Sequence, residues 1–157
     1  MPQMVAMTTA LTLEKFLPYR LSVSSNAVSS RISRAYRKRF GLRIPEWRLI
    51  TILAETARAT PASLGDATRM DKIAISRAAA ALIERGLIAA DDNPADGRSH
   101  FLSLTEDGRA LYADIAPMAL AAEAELFASF TVDERKTLET LLRRIEAAAL
   151  NGGGGPD

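Results

Sequence analysis

Residues 60–108 have the sequence TPASLGDATRMDKIAISRAAAALIERGLIAADDNPADGRSHFLSLTEDG, which predicts two short helices followed by a hairpin. Thr60 is a favourable N-cap and Pro61 a favourable first residue for the first helix, which should end just before Asp71. Asp71 caps the second helix, and Gly86 follows its last turn. The apolar positions of the second helix recur at steps of three and four, which predicts one buried face. They are Ile75, Ala78, Ala79, Leu82 and Ile83.

The hairpin that follows has a charged tip. Residues 87–90 and 99–105 are expected to be its strands, with residues 91–98 as the connection, because Asn93-Pro94 and Asp96-Gly97 are strong turn signals. Two helices joined by a tight turn and followed by a hairpin are typical of a winged helix-turn-helix, which places its second helix in a DNA groove. The sequence therefore predicts a mainly α-helical fold with a small β-wing.

Basic and hydroxyl side chains occupy the other face of the second helix, near its N-terminus. Lys and Arg bind phosphates or guanine edges, and Ser hydrogen-bonds to either. Arg98 suits the narrow minor groove, and Asp96 is placed to orient its guanidinium by a charge-assisted hydrogen bond. A solvated helix face and an incidental surface ion pair are the alternatives. The candidate DNA-binding residues are Lys72, Ile73, Ser76, Arg77, Asp96 and Arg98.

Five short motifs in this stretch, in this order, resemble the MarR family of bacterial transcriptional regulators. They are DK at 71–72, SR at 76–77, LIERGLI at 82–88, DGR at 96–98 and LTEDG at 104–108. The resemblance extends outward over residues 12–148. It departs from the family after the Gly-Leu-Ile, where an Arg is common, because Ala89, Ala90, Asp91 and Asp92 occupy that region. The first strand of the wing is therefore unusually acidic.

The segment before residue 60 is also predicted to be helical. One helix should extend from near Pro18 to about Arg39, where Gly41 ends it, and Pro45 opens the next helix. The buried side of the first of these helices is expected at Leu21, Val28, Ile32, Ala35 and Tyr36.

Two longer helices are predicted after the wing. Thr105 caps the first, which should reach about Phe127, and Pro117 in its interior predicts a kink. Thr131 and Glu134 form a capping box for the last helix. Its apolar stripe consists of Leu138, Leu141, Leu142, Ile145 and Ala148.

A chain of 157 residues is expected to form one domain, here with three functional parts. Residues 12–44 and 105–148 would be dimerisation helices, residues 45–104 the DNA-binding module, and residues 149–157 a flexible tail. The terminal helices carry more apolar surface than the module can cover, so a second copy of the chain is the expected partner. The alternative is that they fold back on their own subunit. A two-fold dimer would place two recognition helices about 34 Å apart on a palindromic operator, and the resemblance implies the same dimer.

Charge is unevenly distributed, although the net charge is only +1. Basic residues are concentrated between residues 20 and 48, where Glu46 is the only acid, whereas acids predominate between residues 106 and 146. This asymmetry suits a molecule with one anion-facing side. Whether Arg31, Arg34 and Arg37 bind ligand phosphates, DNA or only solvent is left open.

The MarR resemblance also implies a small-molecule site in a cleft between the dimerisation helices and the DNA-binding module. The candidate ligand-binding residues are Tyr19, Arg20, Ser24 and Trp47, since an Arg beside hydroxyls and an aromatic ring suits an aromatic carboxylate. Their segment resembles a branch of the family that responds to hydroxycinnamates or their coenzyme A thioesters. The alternative is that Trp47 belongs to the core and that Arg20 pairs with an acid.

Other functional classes find no support in the composition. The chain has no cysteine, which excludes disulfides, thiolate metal sites and peroxide sensing by cysteine. Its single histidine, His100, is expected to be structural or solvent-facing. No catalytic triad, metal-ligand cluster or phosphate-binding loop can be assembled, so we expect neither an enzyme nor a cofactor. Neither a membrane-spanning run nor a secretion signal is present, which favours the cytoplasm.

The predicted function is that of a dimeric, sequence-specific DNA-binding regulator. The resemblance to the MarR family implies a repressor that a small aromatic carboxylate or coenzyme A thioester releases from DNA. The alternative is a constitutive or architectural DNA-binding protein without an effector.

Overall fold

A computed structural model describes residues 10–152. The chain divides into two compact units, Met1–Ala119 and Leu120–Asp157. After a short 3-10 turn at Leu13–Lys15, the elements are α1 (Leu17–Ser33), α2 (Arg37–Phe40), α3 (Ile44–Thr56), β1 (Arg58–Ala59), α4 (Pro61–Thr68), α5 (Lys72–Glu84), β2 (Ile88–Asp92), β3 (His100–Leu104), α6 (Glu106–Leu126) and α7 (Val132–Asn151). The predicted fold class, mainly α-helical with a small β-wing, is confirmed.

The predicted helix-turn-helix consists of α4 and α5. The Thr60 hydroxyl accepts a hydrogen bond from the backbone N–H of Ser63 at 3.2 Å, and the Asp71 carboxylate accepts one from the backbone N–H of Ala74 at 2.8 Å. Both predicted N-caps are therefore confirmed. Gly86 lies beyond the end of α5 with a φ of +70°, a left-handed conformation that glycine adopts without steric cost.

The sheet is antiparallel and has the strand order β1-β3-β2. The two wing strands pair from Ile88 opposite Leu104 to Asp92 opposite His100. The predicted connection at residues 91–98 therefore began two residues too early, because Asp91 and Asp92 belong to β2, and it ended one residue too early, because β3 begins at His100 and not at Ser99. The sequence analysis also missed β1, which pairs with β3 over only two residues.

The core of the first unit is formed where α3, α4 and α5 pack beneath the sheet. Leu49 and Leu53 of α3, Leu64 of α4 and Leu82 of α5 are fully buried. Of the five predicted buried positions on α5, four are buried, but Ile83 is 43% exposed. The buried face of α5 is thus narrower than the face that its apolar residues define, and Ile83 lies at the edge of the buried face.

The predicted helix between Pro18 and Arg39 is interrupted. It ends at Ser33, a turn covers residues 34–36, and the short α2 follows. Tyr36 leaves the helical conformation, with a φ of −132°, and its buried ring stacks on Trp47 with centroids 5.4 Å apart. Packing against Trp47 thus accompanies a break that no Gly or Pro in the sequence marks.

The expected buried side of α1 is only partly buried in the single chain. Ile32 and Ala35 pack against the core of the first unit, and Leu21 is half-buried. Val28 remains exposed, contrary to the prediction. The N-terminal two thirds of α1 therefore presents apolar side chains that residues 10–152 leave exposed.

The helix after the wing begins as predicted and contains Pro117, while the kink expected there remains a prediction. In the second unit, the capping box at the start of α7 is confirmed, because Thr131 and Glu134 exchange side-chain-to-backbone hydrogen bonds of 3.0 and 3.1 Å. The helix continues to Asn151, so the expected flexible tail from residue 149 begins too early. Residues 153–157 of that tail lie outside the described residues.

Candidate nucleic-acid interface

A concave surface lies between α4, α5 and the wing, with a volume of about 940 Å³. We call it the wing concavity. Its α5 side is lined by Lys72, Ile75 and Ser76, and its wing side by Arg98, Ser99 and His100. Apolar residues predominate in its lining, and Arg69, Lys72 and Arg98 are the cations among them. The fold thus brings the start of α5 and the wing to one side of the first unit.

Three of the predicted DNA-binding residues, Lys72, Ser76 and Arg98, line this concavity together. Ile73 and Arg77 do not line it; both are exposed on the first two turns of α5, four residues apart and hence on one face. Within residues 10–152, the side chains of the three cations, Lys72, Arg77 and Arg98, form no hydrogen bond or ion pair. The helix dipole makes this end of α5 favourable for anions.

Asp96 has a different partner from the one predicted. Its carboxylate accepts a hydrogen bond from the backbone N–H of Arg98 at 3.0 Å, not from the guanidinium. Asn93 accepts in the same way from the backbone N–H of Ala95 at 3.0 Å. Short Asx side chains stabilise turns by such bonds, so Asp96 shapes the wing tip and leaves the Arg98 guanidinium free.

Two further residues of the concavity were missed by the sequence analysis. Arg69 occupies the turn between α4 and α5 with a left-handed φ of 59°, and its side chain lines the concavity. His100 lines the opposite wall. The alternating pattern of β3 could have indicated the position of His100. His100, Leu102 and Leu104 share one face of the strand, and the two leucines are buried.

Comparison with known proteins shows which family the chain resembles. Residues 40–99, which include the helix-turn-helix and most of the wing, match the model of the MarR family. A MarR/EmrR family transcriptional regulator from Acinetobacter superposes with a TM-score of 0.81 at 26% identity, over 90% of this chain and 99% of that one. The chain is therefore similar to MarR-family transcriptional regulators over most of its length, and its residues 40–99 match the model of that family.

Two other solved structures agree with this similarity. A probable transcriptional regulator from Pseudomonas aeruginosa is 27% identical, with a TM-score of 0.77 over 85% of this chain and 99% of that one. A MarR family regulator from Streptomyces coelicolor, solved in complex with DNA, is 26% identical, with a TM-score of 0.79 over 90% of each chain. All three of these similar proteins are named as transcriptional regulators, and one of them was solved with bound DNA.

The four candidate ligand-binding residues differ in their surroundings. Trp47 is half-buried and stacks between Tyr36 and Tyr112, with centroids 5.4 and 5.8 Å away, as the alternative interpretation expected. Tyr19, Arg20 and Ser24 are exposed on α1. Ser24 lies nine residues before the end of α1, which corresponds to about 14 Å along the helix axis. That these four residues share one ligand site remains a prediction.

A group of exposed basic side chains lies on the elements around Tyr36. It consists of Arg34, Arg37, Lys38, Arg39 and Arg48, and we call it the basic corner. Burial raises the pKa of Tyr36 above its ordinary value, and the positive charges of Arg48 and Arg37 oppose that shift. Both guanidinium groups therefore lie near the phenol.

The basic corner lies at the far end of α5 from the DNA-binding candidates. Arg85, which follows the last turn of α5, donates hydrogen bonds to the carbonyl oxygens of Phe40 at 2.8 Å and Gly41 at 3.4 Å. This contact joins the C-terminal end of α5 to the end of α2. Because α5 has 13 residues, its two ends are about 20 Å apart.

Membrane-spanning helices and metal-ligand clusters are both absent from the described part of the chain. In residues 10–152, no helix is long and apolar enough to cross a membrane. Over the same residues, no three His, Asp or Glu side chains are grouped as metal ligands would be.

Proposed function

We propose that the chain is a homodimeric, sequence-specific DNA-binding regulator. Each subunit would place α5 in a major groove and the wing at the neighbouring minor groove. The observation that carries this proposal is the set of three exposed cations, Lys72, Arg77 and Arg98, which lie together on one side of the first unit without partners among residues 10–152. The DNA complex of the similar regulator from Streptomyces coelicolor supports it.

The proposed roles follow from position. Lys72 and Arg98 line the concavity, where Lys72 would bind a phosphate and Arg98 would reach the minor groove. Ser76 and Arg77 would contact base edges from the exposed face of α5, with Ile73 offering an apolar contact to a thymine methyl group. Asp96 would act indirectly, by holding the turn that presents Arg98.

Dimerisation is proposed because two helices carry uncovered apolar faces. On α1, Leu17, Tyr19 and Val23 are exposed, and on α7 the stripe of Leu138, Leu141, Leu142 and Ile145 is exposed. Faces of this kind in a helical protein are ordinarily covered by another chain. A second copy would also supply the second recognition helix that a palindromic operator requires.

DNA binding is tested with the purified protein and DNA from upstream of its own gene and the neighbouring genes. We expect a specific complex whose dissociation constant rises by about a thousandfold between 50 and 200 mM salt, if a dimer neutralises about six phosphates. Fluorescence anisotropy measures this, with scrambled DNA of the same composition as the control. A salt-independent constant, or equal affinity for both DNAs, would contradict the proposal.

We propose further that DNA binding is released by a small aromatic carboxylate or its coenzyme A thioester. Arg20 supports this, because its exposed guanidinium has no hydrogen-bond or ion-pair partner among the described residues and matches a carboxylate. The basic corner also supports it, since Arg34, Arg37 and Lys38 form an anion-binding surface about 20 Å from the start of α5 and would remain accessible while DNA is bound.

The effector proposal is tested by adding p-coumarate, ferulate and their coenzyme A thioesters to the DNA complex. We expect a thioester or free acid to release the DNA, and Arg20→Ala to raise the concentration required by about tenfold or more. Coenzyme A without the acyl group is the control that separates the two halves of the ligand. If no compound changes DNA binding, the alternative of a constitutive DNA-binding protein is favoured.

A further inference from the structure

We propose that His100 is a phosphate contact of the wing and that DNA binding is coupled to uptake of one proton by its imidazole in each subunit. The inference rests on the proposed DNA-binding function. It concerns a residue that the sequence analysis placed outside the site.

The position of His100 points to a bound phosphodiester strand. The residue lies at the start of β3 with its side chain 58% exposed, and it lines the wing concavity with Lys72, Ser76 and Arg98. A DNA strand that passes from the major groove at α5 to the minor groove at the wing must cross this concavity. A phosphate in the concavity would have the imidazole on its wing side and the start of α5 on its other side.

The imidazole has only a loose partner in the free protein. His100 is paired in register with Asp92 of β2, and its Nδ1 atom lies 3.8 Å from the Asp92 carboxylate, beyond hydrogen-bonding distance. The Asp92 side chain is fully exposed, so water screens this pair. The imidazole forms no hydrogen bond with any of residues 10–152. Rotation toward a phosphate would therefore break no strong contact.

The charges around His100 come from every neighbouring element. Those that share the concavity or lie against the imidazole are Asp92 of β2, Asp66 of α4, Arg69 of the turn that follows α4, Asp71 and Lys72 at the start of α5, and Arg98 of the wing tip. Arg58 of β1 stacks on the ring of Phe101, the next residue of β3, whose side chain projects to the opposite face of the strand. Cations and anions are thus balanced around the imidazole before DNA arrives.

A phosphate changes that balance in favour of the protonated imidazole. Neutral imidazole offers one N–H donor, whereas the protonated form offers two donors and a positive charge. The DNA complex would therefore bind more protons than the free protein does. By linkage, DNA affinity should be greatest at low pH and should fall as the pH rises through neutrality.

A pH dependence of DNA binding can be assigned to His100 because it is the only histidine of the chain. Among side chains, an imidazole is the one whose charge ordinarily changes between pH 5 and 8. We expect the dissociation constant for the same DNA at constant ionic strength to rise about fivefold per subunit from pH 6 to pH 8. The slope of affinity against salt should also be steeper at pH 6, by up to about 0.9 per subunit, because one more phosphate is neutralised.

Three substitutions assign the effect to His100. His100→Gln should bind more weakly than the natural protein at pH 6 and should lose the pH dependence, and His100→Arg should bind tightly at both pH values. Asp92→Asn should steepen the pH dependence, because it removes the carboxylate that competes for the protonated imidazole. Thermal denaturation at both pH values shows whether each variant is folded.

The outcomes separate this inference from the proposed function. A natural protein that binds specific DNA equally well at pH 6 and pH 8 overturns the role of His100 and leaves DNA binding intact. A pH dependence that persists in His100→Gln also overturns it, because another group must then take up the proton. Absence of specific binding at both pH values defeats the proposed function itself.

Discussion

Replacement of Gly108 by alanine is expected to destabilise the first unit by about 3 kcal/mol, although alanine ordinarily stabilises a helix relative to glycine by about 1 kcal/mol. Gly108 lies in the first turn of α6, and a Cβ atom there would overlap the carbonyl oxygen of Leu87. It would also lie 3.2 Å from the Cδ2 atom of Leu104. Since Leu87 and Leu104 are both buried, a small local shift could not accommodate the added Cβ atom.

The backbone around Gly108 cannot easily move away. The Leu87 carbonyl accepts a hydrogen bond from the backbone N–H of Thr105 at 3.1 Å. The Thr105 hydroxyl donates to the carbonyl of Gly86 at 2.6 Å and accepts from the backbone N–H of Gly108 at 3.1 Å. These bonds hold the start of α6 against the start of β2, so a shift that accommodates alanine would cost several of them at once.

Urea or thermal unfolding measures the effect, with an expected fall in melting temperature of about 10 °C for Gly108→Ala. Gly65→Ala is the matched helical control, because its Cβ would make only an ordinary contact of 3.5 Å with the Met70 carbonyl oxygen. Gly97→Ala, at the wing tip, would meet no atom within 4 Å. Unchanged or increased stability of Gly108→Ala would show that α6 and β2 are not held together as the structure has them.

Features set by neighbouring residues in the sequence could be predicted. The N-caps at Thr60, Asp71 and Thr131 depend on a backbone N–H three residues away, and the structure has all three. The left-handed Gly86 after α5 is equally local. The helix-turn-helix and the wing were predictable for this reason, since capping residues, turn residues and the periodicity of apolar residues define each of their elements.

Features set by distant partners could not be predicted. The break at Tyr36 accompanies its stacking on Trp47, and β1 exists only because it pairs with β3. The motif that contains Gly108 was visible in the sequence, but the reason for glycine there is the Leu87 carbonyl, 21 residues earlier. Asp96 shows the same limit on a smaller scale, because turn geometry, and not charge, decides its partner.

Arg77→Ala is expected to weaken binding to the operator by about 10- to 100-fold and to reduce the preference for operator over scrambled DNA. Arg77 is exposed on the same face of α5 as Ile73. Its guanidinium has no partner among residues 10–152, so no competing contact within the subunit must be broken. A planar fork of donors at this position matches the O6 and N7 acceptors of guanine.

Two matched variants distinguish base recognition from simple attraction to phosphate. Arg77→Lys keeps the charge but loses the fork, so it should retain binding to scrambled DNA and still lose preference for the operator. Arg98→Ala should weaken binding to both DNAs by similar factors and reduce the salt slope by about 1 per subunit, because a groove-inserted wing cation acts mainly through charge. Equal losses on both DNAs for Arg77→Ala would instead make Arg77 a phosphate contact. Operator recognition would then have to come from Ser76, Ile73 and the shape of the DNA.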